Sequence, residues 1–329
     1  DDDDSAATGD DDDDDDSATS ADDDDSAATG DDDDDSATTA DDDDSAATAD
    51  DDDSAVGDDD DSAPSGVERA LFDWDPSHAL DPIARSAAFA YASAQGFDRI
   101  YQEAESLVLD HPGEVPGYLA DAQAAGLEVS LLFGYAPWAL AANHGTAVAL
   151  AELAVSAAGP HSPALHFDVE PHGLPEWSTD QAALVEDYLS LLEQLSAVTS
   201  TAGLVLEADM PFWYDTLQST WDGPSRPLSE LVLDRVDRAL IMDYRDHAAP
   251  PNGMLDLAES ELLYAAAMGR SVVVAVETNC ITPTHITFCE EGRAAMEAEL
   301  TAFELAQPGG AALVGLAVHD RDGLEGLGP

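Results

Sequence analysis

Leu165-His166-Phe167-Asp168-Val169-Glu170-Pro171 is an apolar run that ends in two carboxylates. Asp168 and Glu170 are two residues apart, so on a β-strand both side chains project to the same side. Two carboxyls in one apolar setting raise each other's proton affinity, because burial and a like charge both disfavour ionisation. A carboxylic acid that keeps its proton near neutral pH is what general acid catalysis needs. Glu170 is therefore the candidate acid and Asp168 its candidate partner. What else joins them depends on the elements that bring the rest of the chain to this point.

Those elements alternate. Short apolar runs predict strands at Ala70–Trp74, Arg99–Glu103, Val129–Gly134, Ala164–Glu170, Leu204–Asp209, Ala239–Asp243, Val272–Glu277 and Leu313–Val318. Helical periodicity falls between them at Gly117–Ala125, Ala147–Ala158, Gln181–Thr199, Leu228–Val232, Leu255–Met268 and Gly292–Gln307. Gly126, Gly203, Gly269 and Gly310 stand where a helix hands over to the next strand, the place of a capping glycine. Eight strands with helical crossovers over residues 67–329 predict an α/β protein of the (β/α)₈ barrel type. The first strand runs into Asp73-Trp74-Asp75-Pro76 with no Gly-rich phosphate loop, which argues against an open dinucleotide-binding sheet.

Chemistry in such a barrel sits at the C-terminal ends of the strands. Asp168, Asp243, Tyr244 and Glu277 stand there as the candidates to work with Glu170. Asp73, Trp74, Glu103, Tyr135, Trp138, Asp209, Trp213, Arg245 and His319 share the rim and are expected to bind substrate. Flat aromatic faces beside carboxylates suit a ligand with C–H faces and hydroxyl edges, which describes a sugar.

The motifs carry two resemblances. Asp168-Val169-Glu170 is similar to the strand-four ending of chitinase-like family 18 glycoside hydrolases, and Met242-Asp243-Tyr244-Arg245 resembles that family's strand-six Met-x-Tyr-Asp with Arg245 in the last place. This resemblance implies Glu170 as acid, Asp168 orienting an N-acetyl group that serves as nucleophile, and Tyr244 supporting the intermediate. Pro163 and His166 occupy the first two Asp positions of the family's longer Asp-x-x-Asp-x-Asp-x-Glu pattern. The second resemblance is to clan A retaining glycosidases. Val169-Glu170-Pro171 resembles their Asn-Glu-Pro, with Val169 in the place of Asn. There Glu170 is again the acid, and Glu277 at the end of strand seven is implied as nucleophile. More broadly, the domain resembles uncharacterised bacterial glycoside-hydrolase-like barrels. A non-catalytic carbohydrate-binding or scaffold barrel is the alternative.

Other chemistries lack their motifs. His166, Asp168, His319 and Asp320 show no His-x-His or His-Glu-x-x-His spacing, so neither a metal nor another cofactor is expected. No Gly-x-Ser-x-Gly elbow is present for Ser/His/Asp hydrolysis.

Residues 1–66 are a different kind of chain. Runs of four or more Asp followed by Ser-Ala repeat there, with 32 Asp and no base, which predicts a disordered acidic tether. Contiguous Asp without the spaced ligands of a calcium loop allows only weak, diffuse Ca²⁺ association. The remaining 40 acids face 10 bases, all of them Arg. That balance argues against nucleic acid or anionic membrane as partners. There is no apolar run long enough to span a membrane, and the first residue is not Met, so the chain reads as mature or trimmed. A secreted or surface-anchored protein is expected; such tethers often follow a lipidated Cys, which this sequence does not contain. Cys280 and Cys289 lie in one loop, either as two free thiols or as a small disulfide ring.

Overall fold

The computed structural model describes residues 66–328. The acidic repeat, and with it the expected Ca²⁺ association, lies outside the described residues. Within them eight parallel strands close on themselves. They are β1 (Glu68–Asp73), β2 (Arg99–Glu103), β3 (Glu128–Gly134), β4 (Ala164–Asp168), β5 (Leu206–Pro211), β6 (Arg238–Met242), β7 (Ser271–Glu277) and β8 (Leu313–His319). Each pairs with the next in chain order, and β8 returns to β1 with Leu71 opposite Val318. The (β/α)₈ barrel expected from the beat of the sequence is the fold observed.

One main helix follows each strand: α1 (Pro82–Ala94), α2 (Val115–Ala124), α3 (His144–Ala158), α4 (Gln181–Ala202), α5 (Leu228–Leu233), α6 (Glu259–Met268), α7 (Arg293–Ala306) and α8 (Arg321–Gly326). The pattern reading did not anticipate α1 or α8. Both begin at an Asp cap rather than a strong apolar stripe. Asp81 accepts from the backbone N–H of Ile83 and Ala84, and Asp320 from that of Gly323. The stretch expected as one helix over Leu255–Met268 is a short turn at Met254–Leu257 followed by α6. Gly203 and Gly269 cap α4 and α6 in the left-handed conformation, at φ 71° and 67°. Gly310 instead opens a short 3₁₀ turn, because α7 has already ended at Ala306 before Pro308.

Alternation along each strand splits the core in two. Ala70, Phe72, Tyr101, Leu132, Leu240, Val273, Ala275 and Ala317 point inward and fill the barrel. Their neighbours Leu71, Ile100, Leu131, Phe133, Ile241, Val274 and Val318 point outward under the helices. Each fully buried Leu, Ile or Phe contributes ~1.5–3 kcal/mol by leaving water. Among the described residues no helix is long and apolar enough to cross a membrane.

Candidate active site

Register sets the site. Leu132, His166, Glu207 and Arg238 stand in one row across β3, β4, β5 and β6. Two residues nearer the mouth, Gly134 pairs with Asp168 and Asp209 pairs with Leu240. Phe167 pairs with Ala208, so Asp168 and Asp209 emerge side by side from β4 and β5. Gly134 lets the Trp74 ring pack close, since a Cβ there would meet the ring at 3.1 Å and the indole would have to shift by a few tenths of an ångström.

His166 is fully buried beneath these acids. Its Nε2 lies 2.8 Å from Asp209 Oδ2 and its Nδ1 3.4 Å from Glu207 Oε2. Burial alone would lower its pKa, but the Asp209 and Glu207 carboxylates outweigh burial and raise it to about 10. Glu207 in turn lies 2.8 Å from Arg238 Nη1, a close ion pair not aligned as a hydrogen bond. That pairing, with His166, holds Glu207 down to about 2 against the cost of burial.

Asp168 and Glu170 carry no such cation. Burial first, then Asp209 and Glu170, push Asp168 up to about 8. Its Oδ1 is buried without a hydrogen-bond partner. Glu170 lies just past β4, at the start of a 3₁₀ turn over Pro171–Gly173. Burial and then Asp209 raise its pKa, although its side chain is 41% exposed and water screens part of the effect. Its Oε1 is 3.5 Å from His172 Nε2. His172 packs among Trp177, Trp213 and Tyr214 at ring separations of 5.2–6.3 Å.

Across the mouth, Glu277 is tightly held. Its Oε1 accepts from the Thr278 and Asn279 backbone N–H and from Asn279 Nδ2, and its Oε2 lies 2.9 Å from His319 Nδ1. The Trp74 indole N–H donates to His319 Nε2 at 3.0 Å. Tyr244 sits between the two sides. Burial raises its hydroxyl pKa, and the charges of Glu277, Asp209, Asp168 and Glu170 all add to the shift.

The mouth thus gathers Asp168, Glu170, Asp209, Tyr244, Glu277, His319 and Trp74. Several other expected residues stand apart. Asp73 and Asp243 fall on the outward alternation of β1 and just past β6. Asp73 is bound by His78, with Arg321 at 3.5 Å, and Asp243 is buried on the side of Glu261 in α6. Trp138 is buried against Phe167 under the helices, and Tyr135 is exposed at its edge. Arg245 donates to the Asn252 and Tyr244 carbonyls and lies over the Phe212 ring. Glu103 accepts from the Glu105 N–H, and burial raises its pKa. Trp213 belongs to the aromatic group around His172. His172 and Tyr188 were missed by sequence reasoning. Tyr188 lies inside α4, where its spacing matches an ordinary core position, yet its buried hydroxyl has no partner and it senses Asp209, Asp168 and Glu170. Among the described residues no group of three or more His, Cys, Asp or Glu is arranged to hold a metal ion.

No family model matches the chain, and no curated protein matches it. Solved structures do. An exo-beta-1,4-mannosidase, Op5Man5 from Opitutaceae bacterium strain TAV5, superposes with a TM-score of 0.51 at 14% identity, over 77% of this chain and 52% of that one. A GH18 chitinase from Pseudoalteromonas aurantia aligns at 0.48 and 13% identity, over 77% and 94%. The PgaB (BpsB) glycoside hydrolase domain from Bordetella bronchiseptica aligns at 0.47 and 11% identity, over 79% and 95%. What the chain shares with them is the (β/α)₈ barrel fold. At these identities the likeness is one of fold.

Proposed function

We propose that the barrel mouth hydrolyses glycosidic bonds of an extracellular or cell-surface glycan, with Glu170 as general acid. The observation that carries this reading is the Asp168–Glu170 carboxyl pair at the end of β4 beside Tyr244, where burial and Asp209 raise both pKa values and so favour a shared proton. Glu170 is the more exposed of the two and so the one a substrate oxygen can reach. It protonates the leaving glycosidic oxygen as the C–O bond breaks. The substrate's own 2-acetamido oxygen then closes on the anomeric carbon, with Asp168 aligning the amide N–H and Tyr244 supporting the ring that forms. Water, deprotonated by Glu170, opens that ring and restores the acid.

The hydrogen bonding of Glu277 favours this scheme over direct attack by that residue. Glu277 Oε1 accepts three hydrogen bonds and Oε2 lies on His319, and the lowered pKa that results makes the carboxylate a weaker nucleophile. The aromatic group at Trp177, Trp213 and Tyr214 beside Glu170 suits a sugar face. The Cys280–Cys289 disulfide suits an oxidising, extracellular compartment, and the acidic segment 1–66 suits a tether that displays the barrel at the cell surface.

The test is a hydrolysis screen on N-acetylated glycans with wild type and Glu170→Gln in parallel. Turnover by wild type and loss of ~10²–10⁴-fold in the variant is the expected result. Full activity in the folded variant would remove Glu170 from the role. Binding without turnover in both proteins would mark a carbohydrate-binding barrel instead.

A further inference from the structure

His166 stands inside the barrel in a row of buried charged groups, with Phe72 and Tyr101 against its ring at 5.8 and 4.7 Å. Both ring nitrogens face carboxylate oxygens, and a carboxylate can only accept, so both nitrogens donate. The side chain is therefore an imidazolium, 0% exposed, between Glu207 and Asp209. On its lower side the charges alternate. Arg238 lies against Glu207 at 2.8 Å, and Arg99 pairs with Glu68 and Glu128. On its upper side they do not alternate. Asp209 has Oδ2 on His166, while its Oδ1 is buried without a partner beside Asp168.

We propose that His166 is a positioning residue of this site: by bridging Glu207 and Asp209 it fixes the Asp209 carboxylate against Asp168 and Glu170. Asp209 is then the third carboxyl of the mouth, acting on the pair rather than on the bond that breaks. It is the leading charge that raises both Asp168 and Glu170, and at Asp168 it outweighs Glu170. The opposing groups are His319, across the mouth on β8, and His166 itself. Tyr188 and Tyr244 complete the surroundings as neutral phenols. A strut of alternating charge from Arg238 to Asp209 thus runs up β6, β5 and β4 and ends under the proton-carrying pair. The role rests on the proposed glycosidase activity, while the imidazolium does not.

Two measurements on the full chain test it. In the first, ¹⁵N-histidine spectra are followed against pH, with the His166 signals assigned by their loss in His166→Gln. Both ring nitrogens should remain protonated through about pH 8, and Asp209→Asn should bring the midpoint down by about one unit or more. A neutral His166 at pH 7 in wild type overturns the proposal, whatever the activity. In the second, hydrolysis of a fluorogenic aryl glycoside of N-acetylglucosamine oligomers is profiled against pH. Asp209→Asn should move the alkaline limb to lower pH by about one unit, a tenfold loss of proton affinity in the pair, whereas a purely structural defect would lower the plateau and leave the limb in place. An unmoved limb in Asp209→Asn, with Glu170→Gln inactive, overturns the positioning role and leaves the glycosidase reading intact. Absence of turnover in wild type overturns that reading and this role together.

Discussion

Glu277 and His319 meet across β7 and β8, with Glu277 Oε2 2.9 Å from His319 Nδ1. The Trp74 N–H donates to the other ring nitrogen, and the Glu277 carboxylate at Nδ1 raises the pKa of His319 against the cost of burial. Burial works against the Glu277 carboxylate, but His319 and Asn279 together lower its pKa. The result is an anion fixed in place by hydrogen bonds, suited to holding His319 and Trp74 at the rim. Glu277→Gln keeps the shape and one acceptor oxygen. Its kcat on an N-acetylated glycan should stay within about tenfold of wild type, as expected of a supporting group. A fall of ~10³-fold or more would make Glu277 the nucleophile and overturn the substrate-assisted scheme.

The barrel was legible because most strand positions between the charged row at the base and the strand ends are apolar or small. Asp168, Glu170 and Glu277 stood out because they break that rule at the strand ends. Asp243 breaks it too, and sequence position alone could not say that it falls on the outward parity, since the strand ended one residue earlier than expected, at Met242. Asp73 illustrates the same limit. His166 was legible as a polar residue in a strand but not as a cation, because its partners Glu207 and Asp209 lie on β5 and their pairing depends on register. The aromatic group was half legible. Trp213 read as a rim aromatic, whereas Tyr188, which is not one of those stacked rings, comes from α4, where helical spacing makes it look like core.

Cys280 and Cys289 are joined, which resolves the two alternatives left by their spacing. The ring closes the loop after β7, where the Phe288 N–H donates to the Glu277 carbonyl and the Thr287 hydroxyl to that of Asn279. A crosslink of this short span contributes ~2–3 kcal/mol by restricting the unfolded chain. Cys280→Ser with Cys289→Ser should lower the unfolding free energy by that amount in denaturant titrations. It should also loosen the anchoring of Glu277, visible as a weaker perturbation of the His319 titration. Equal stability of the two proteins would show that the loop is held by its hydrogen bonds alone.

Asp243 and Glu261 give the barrel a pH-dependent weakness away from the mouth. Both are buried, Asp243 has neither oxygen hydrogen-bonded, and Glu261 has Oε1 unpartnered while the Ser260 hydroxyl donates to Oε2. Burial raises the Asp243 carboxyl well above its ordinary value and Glu261 to about 7. A carboxyl with a raised folded value binds its proton more tightly in the folded chain than in the unfolded one. Stability is therefore greatest at low pH and falls as pH rises from the ordinary carboxylate range through about 7 for Glu261, and further still for Asp243. For Glu261 the loss between pH 4.5 and pH 8 is about 3 kcal/mol. Glu261→Gln keeps the shape without a group that can ionise. It should match wild type in urea unfolding at pH 5 and exceed it at pH 8, and Asp243→Asn should act in the same direction. Parallel stability curves for wild type and Glu261→Gln across that range would mean that water reaches the Glu261 carboxylate in the folded chain.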